Sequence, residues 1–134
     1  PFTEATEDEI LRLLENEHIR GLSLLGGEPF EPQNQAVLVH LLRRVKEKFP
    51  HKDIWCYSGY NFEKDMLTGN LGPWEITEEM LSYIDVLIDG EFKLELKNPN
   101  LRFRGSANQR VINVQESMKQ DAIVSWDDGE GLTL

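Results

Sequence analysis

The chain has 134 residues, 40% hydrophobic and 28% charged, which fits one soluble globular domain and leaves little room for two. Its 14 basic and 24 acidic residues give a net charge of −10, which argues against a nucleic-acid or anionic-membrane surface, because phosphate binding needs clustered lysine and arginine. No apolar run approaches the roughly 20 residues of a membrane span, and no signal peptide opens the chain; the one cysteine, Cys56, excludes an internal disulfide and fits a reducing, cytoplasmic setting.

Thr6 followed by Glu9 has the pattern of a capping box and predicts a helix with Ile10, Leu11, Leu13 and Leu14 as its apolar stripe. Residues 19–25 read as a short buried strand that ends in glycines. A second helix is predicted from about Gln33 to Phe49. Val37, Leu41, Val45 and Phe49 recur every four residues there, Arg43, Arg44, Lys46 and Lys48 face water, and Pro50 stops it. Residues 53–58 form the next strand, Asn61 caps a short helix with Phe62, Met66 and Leu67, and Gly69, Gly72 and Pro73 break the chain. Thr77 is expected to cap a further helix through Met80, Leu81 and Tyr83, ahead of a third strand over 85–90. Helix alternating with buried strand implies a parallel sheet with right-handed crossovers.

The pattern changes after Gly90. Phe92, Leu94 and Leu96 alternate with charged residues, Asn98-Pro99-Asn100 makes a turn, and residues 111–114 read as another strand. Residues 116–120 form helix or loop, and 123–126 an edge strand before an acidic tail. The expected organisation is one domain, with βα repeats over 1–90 and an extension over 91–134.

Ligands of parallel α/β folds gather at the carboxyl ends of the strands, where loops and helix N-termini converge. Three strands here end in suggestive residues: Gly26-Gly27-Glu28-Pro29, Ser58-Gly59-Tyr60 and Asp89-Gly90-Glu91. Adjacent glycines let the backbone approach a ligand and leave its N–H and C=O groups uncovered, while Glu28 adds a charge suited to a cation. A structural turn accounts for the four-residue string as readily as a ligand site does; its place at a strand end, with two more ends beside it, favours the site. There is no Walker loop and no Gly-x-Ser-x-Gly elbow. His18, His40 and His51 have no metal-ligand spacing, and His40 and His51 are expected to serve at the surface or in packing. Cys56, inside an apolar strand, reads as a packed thiol.

A Gly-Gly-Glu-Pro turn after a strand resembles the radical S-adenosylmethionine enzymes. Residues 53–55 and 58–60, 86–90, and Arg104-Gly105-Ser106-Ala107-Asn108-Gln109-Arg110 narrow the resemblance over roughly 1–114 to the glycyl-radical activating enzymes, most closely those of anaerobic ribonucleoside-triphosphate reductase. The resemblance implies an open, partial βα barrel. It also implies a [4Fe-4S] cluster that takes an electron from a donor such as flavodoxin and cleaves S-adenosylmethionine, generating a glycyl radical on the reductase. By the same resemblance Gly26, Gly27 and Glu28 hold the methionine amino group in a cofactor-binding turn that Pro29 stiffens, and Ser58, Asp89 and Gly90 line the same rim. No catalytic side chain and no metal ligand is expected in this chain.

Two departures follow from the same comparison. The family's Cys-x3-Cys-x2-Cys loop is not in the sequence, and the chain opens on Pro1, so the expectation is a fragment truncated at its N-terminus and inactive alone. Related enzymes often carry lysine two residues past the third strand's aspartate; Glu91 stands there, so either it points away or another cation such as Arg104 serves the ligand carboxylate. Surface ion pairs account equally well for Arg104 and Arg110. Another radical S-adenosylmethionine enzyme, or a non-catalytic domain derived from one, remains an alternative.

Overall fold

The computed structural model describes residues 3–25, 27–101 and 103–126, so Gly26 and the acidic tail lie outside the described residues. Helix α1 (Glu4–Leu14) begins earlier than the expected Thr6 cap. Thr3 Oγ1 accepts from Thr6 N at 3.3 Å and Thr3 N donates back to Thr6 Oγ1 at 3.2 Å, a capping box with threonine where glutamate was anticipated. Glu9 is then free of capping and accepts from Arg12.

Strand β1 (Gly21–Leu24), helix α2 (Pro32–Lys48) and strand β2 (Asp53–Tyr57) fall close to their predicted bounds. Asn61 caps the π-helical turn Phe62–Met66, its side chain accepting from Lys64 N at 2.8 Å. Helix α3 (Trp74–Tyr83) starts directly after Pro73, not at a Thr77 cap. Thr77 is buried inside it, and its hydroxyl donates to Gln35 Oε1 at 2.7 Å; a threonine that finds a buried partner has no need of a helix end.

Strands β3 (Val86–Asp89) and β4 (Arg110–Asn113) complete a sheet of order β1-β2-β3-β4, and helix α4 (Val114–Gln120) follows. The first three strands are parallel, as the helix–strand alternation predicts. The fourth, read from the sequence as a strand of no stated direction after the pattern changes, is antiparallel. A parallel return needs a helix-bearing crossover. Between β3 and β4 stand only a 3-10 turn, Leu94–Leu96, and loop, so the chain folds straight back. Residues 124–126 do not form a full edge strand: they make a single bridge, Ile112 to Ser125.

Strand period two sorts the sheet's side chains into faces. Leu24, Ile54, Cys56, Leu87 and Ile112 meet Leu11, Leu14, Leu41, Leu42, Val45, Met80 and Leu81 of the helical layer, the main core. Val86, Ile88 and Val111 face the other way, beneath Trp55, Tyr57, Phe103 and Trp126. The α2 stripe keeps the expected Leu41, Leu42 and Val45, with Leu38 and Phe49 packed beside them, adds Gln35 and Val39, and leaves Val37 exposed. Arg43 and Arg44 are not merely solvated either. They pair with Glu79 of α3 and with Glu7 and Asp8 of α1.

Candidate ligand site at the strand ends

The loops leaving β1, β2 and β3 converge on an open depression of about 310 Å³, lined by Gly27, Glu28, Pro29, Ser58 and Gly90, with Phe92 at its edge. Five of the eight proposed site residues therefore share one surface. Gly26 is outside the described residues. Gly27 and Gly90 sit at φ +33° and +99°, the left-handed region that favours glycine, so both turns depend on the missing side chain.

Glu28 is held more firmly than the sequence suggests. Its carboxylate accepts from Ser58 Oγ at 2.8 Å, Gly59 N at 2.7 Å and Phe30 N at 2.9 Å, bolting the end of β1 to the end of β2. Asn34, in the first turn of α2, donates to the carbonyls of Gly27 (3.3 Å) and Glu28 (2.9 Å). A carboxylate has about four lone-pair directions, so Glu28 keeps roughly one for a ligand while it fixes the turn around it.

Asp89 is placed differently from the rest. It is 1% exposed and lines no part of the depression. Phe62 N donates to its Oδ2 at 2.8 Å and Arg110 Nε to its Oδ1 at 3.0 Å, and Arg110 reaches on to Glu63 at 3.0 Å. Asp89 and Arg110 are register partners across β3 and β4, which sets the two side chains opposite each other. Hydrogen bonds from Arg110 hold the Glu63 carboxyl below its usual range, and those same bonds raise the guanidinium pKa further. Arg110 is thus a half-buried brace on a buried aspartate.

The segment 104–110 works as a clamp on the third strand end. Gln109 Oε1 accepts from Gly105 N (2.9 Å) and Ser106 N (3.1 Å), and its Nε2 donates to Gly90 O at 3.0 Å. Asn108 Nδ2 donates to Glu91 O at 2.7 Å, and Arg104 donates to Gln109 O at 2.8 Å. Arg104 is not among the residues lining the depression. Sequence reasoning named Arg110 and Gln109 within the 104–110 segment without their partners and did not single out Glu63; the Asp89–Arg110 register across the antiparallel pair is what places Arg110 between Asp89 and Glu63.

Two other hollows differ in character, the first mostly apolar and the second mixing Arg20 and Asp53 with aromatic rings. One of about 370 Å³ lies between β1 and α2, and one of about 600 Å³ lies on the sheet face under Trp55, Tyr57, Phe103 and Trp126. Neither gathers the convergent main-chain groups and braced carboxylate found at the strand ends. The class that the fold defines is an α/β domain with a four-stranded sheet, and its glycine-lined depression lies at the carboxyl ends of the parallel strands, where ligands of such folds gather.

Residues 1–112 match the family model described as the 4Fe-4S single cluster domain. The chain is 42% identical over 113 residues to the anaerobic ribonucleoside-triphosphate reductase-activating protein of Pasteurella multocida (strain Pm70), covering 83% of this chain and 68% of that one. It is likewise 42% identical over 113 residues to the Vibrio cholerae protein of that name (82% and 67% covered), and 39% identical over 117 residues to the Escherichia coli K12 protein (86% and 71%). No solved structure matches. The chain belongs to the family of anaerobic ribonucleoside-triphosphate reductase-activating proteins, within the 4Fe-4S single cluster domains.

The residues at hand do not fit a [4Fe-4S] cluster. Ligation takes several thiolates, and the 134 residues contain one cysteine. Cys56 is fully buried against the helical layer, and burial, aided by the charge of Glu28, raises its thiol pKa well above the ordinary value. Among the described residues no three histidine, cysteine or acidic side chains are grouped to hold a metal ion, and no helix there is long and apolar enough to cross a membrane.

Proposed function

We propose that this chain is the core of a radical S-adenosylmethionine activase, a partial βα barrel over 1–90 with an extension over 91–134, and that its partner is an anaerobic ribonucleoside-triphosphate reductase. The strand-end depression carries this reading: three turns, two of them needing glycine at positive φ, meet around a braced carboxylate in a chain about 40% identical to reductase-activating proteins. Gly26, Gly27, Glu28 and Pro29 surround the amino group of S-adenosylmethionine, whose ammonium donors suit carbonyls and a carboxylate, and Ser58 and Gly90 complete the rim. Asp89 supports that rim from behind through Phe62 and Arg110. S-adenosylmethionine held there would be the source of the group that takes a hydrogen from a glycine of the reductase, its sulfonium C–S bond breaking and methionine leaving as one electron, drawn ultimately from a donor such as flavodoxin, is taken up. The residues present supply no cluster, so no step is assigned to them through one.

The single cysteine favours a second reading, a binding domain without catalysis. The gene immediately upstream separates the two: an in-frame Cys-x3-Cys-x2-Cys sinks the second reading, and its absence sinks the first. For the ligand, Gly27→Val in the full gene product is expected to weaken S-adenosylmethionine binding by about tenfold or more, because a β-branched residue at φ +33° strains the turn. Unchanged affinity by calorimetry would refute the assignment.

A further inference from the structure

The strand-end depression is acidic and aromatic in its lining. Among the described residues that line it are the carboxylate of Glu28 and the rings of Tyr57 and Phe92, and there is no lysine or arginine. The nearby donors are engaged inside the protein. Ser58 Oγ and the amides of Gly59 and Phe30 all bond Glu28, and Gln109 turns its Nε2 to Gly90 O at 3.0 Å. Arg104 lies outside the lining and donates to Gln109 O at 2.8 Å. A carboxylate and the faces of aromatic rings both attract positive charge, so this lining favours a cationic group over a neutral or anionic one.

Phe92 is held at that rim by the segment 105–108. It keeps 48% of its exposure, yet the main chain is tied on both sides of it. Asn108 Nδ2 donates to Glu91 O at 2.7 Å, and Lys93 N donates to Ser106 Oγ at 3.2 Å. Cδ1 and Cε1 of the ring lie 3.0 Å from the point that a Cβ on Gly105 would occupy, closer than ordinary van der Waals contact. Gly105 is not in the left-handed region, so the room for the Phe92 ring, and not the backbone, calls for glycine there. A half-exposed ring on an anchored backbone, beside a braced carboxylate, is a wall fixed before the ligand arrives, and little ordering is left to oppose binding.

We propose that Phe92 is a specificity-determining residue of the depression: its ring and the Glu28 carboxylate select a ligand with a fixed positive charge, a sulfonium or quaternary ammonium, over the neutral analogue of the same shape. The proposal rests on the reading of the depression as an S-adenosylmethionine site and names the charge that is read there. The test uses the 134-residue chain and needs no cluster. Two ligand pairs differ in that charge: S-adenosylmethionine with S-adenosylhomocysteine, by calorimetry, and choline with neohexyl alcohol, which has carbon in place of the charged nitrogen, by NMR titration. Wild type is expected to prefer the cation by about fivefold in each pair. Phe92→Leu keeps the apolar bulk and is expected to lower that preference about threefold while leaving S-adenosylhomocysteine affinity as it was. Phe92→Tyr should retain the preference, and Gly105→Ala, which drives the ring from its place, should lower it with Phe92 intact. The same preference in wild type and Phe92→Leu overturns the proposal, and S-adenosylmethionine bound in that case leaves the ligand reading standing. A choline preference that Phe92→Leu removes, with no binding of S-adenosylmethionine, supports the proposal and overturns the ligand reading. No cation preference in either pair overturns the proposal.

Discussion

Two aspartates four residues apart, Asp85 and Asp89, bracket β3, and the sheet ends they serve are built differently. At the amino end Asp85 accepts from Ile54 N at 2.8 Å and Lys46 Nζ at 3.0 Å, and its side chain keeps 25% of its exposure. At the carboxyl end Asp89 is sealed, with a main-chain donor on one oxygen and the Arg110 fork across both. Asp85 satisfies an N–H of β2, and Asp89 satisfies the first N–H of the turn Phe62–Met66, a donor that a helix start leaves unpaired. A flexible lysine finishes the end that has no ligand depression, and a planar guanidinium finishes the end that has one. Rigidity is concentrated at the end that carries the candidate site.

The sharpest way to break this contrast is Arg110→Leu. It leaves Asp89 charged, buried and short of a partner, and is expected to cost about 3–5 kcal/mol in urea denaturation. Adding Asp89→Leu should recover much of the loss, since a buried pair removed together leaves no orphan charge. If the single variant is no less stable than wild type, the brace is not one. Glu28→Ala comes next, at about 2 kcal/mol, because the Ser58 hydroxyl and the amides of Phe30 and Gly59 all lose an acceptor while Gly59 can still meet water. Lys46→Met should cost least of the three, about 1 kcal/mol, since Asp85 retains the Ile54 amide and some solvent. A larger loss for Lys46→Met than for Arg110→Leu would invert the comparison.

What the sequence conveyed of these two ends follows from what is local. The glycine turn after β1, the Asn61 cap and the buried strands each depend on neighbours within a few residues, and each is where the pattern puts it. Cys56 is the packed thiol that its apolar strand suggested. Ion pairing is one reading of Arg110 in the sequence, but its partners cannot be named there, because they lie 21 and 47 residues away and the direction of β4 is not legible. His40 shows the same blindness. Its Nδ1 lies 2.8 Å from the buried Glu7 carboxylate, a contact between α1 and α2 that no helical period reveals. The Thr3 and Thr77 corrections have a common cause, since a hydroxyl serves a helix start or a buried amide equally well and only packing decides which.

The smallest effect is one of sign. Next to Asp85, burial and then its neighbour's charge raise the Asp53 pKa above the ordinary carboxylate value, against the pull of Lys46 and Arg20. At the other end Glu63 is lowered, first by its hydrogen bonds from Arg110. The ionised form of Asp53 therefore disfavours the fold above its raised folded pKa, and that penalty fades as the pH falls through it. Glu63 works the opposite way: its stabilisation is complete above the ordinary value, about 4.3, and is lost as the pH drops through its lower folded pKa. Asp53→Asn is accordingly expected to raise stability slightly at neutral pH, within about 0.5 kcal/mol, and to lose that advantage toward pH ~4. Glu63→Gln should lower stability at neutral pH and flatten the acid limb of the profile. Denaturation curves across that range check both, and two shifts of the same sign would show that the sheet's ends do not differ electrostatically as their geometry requires.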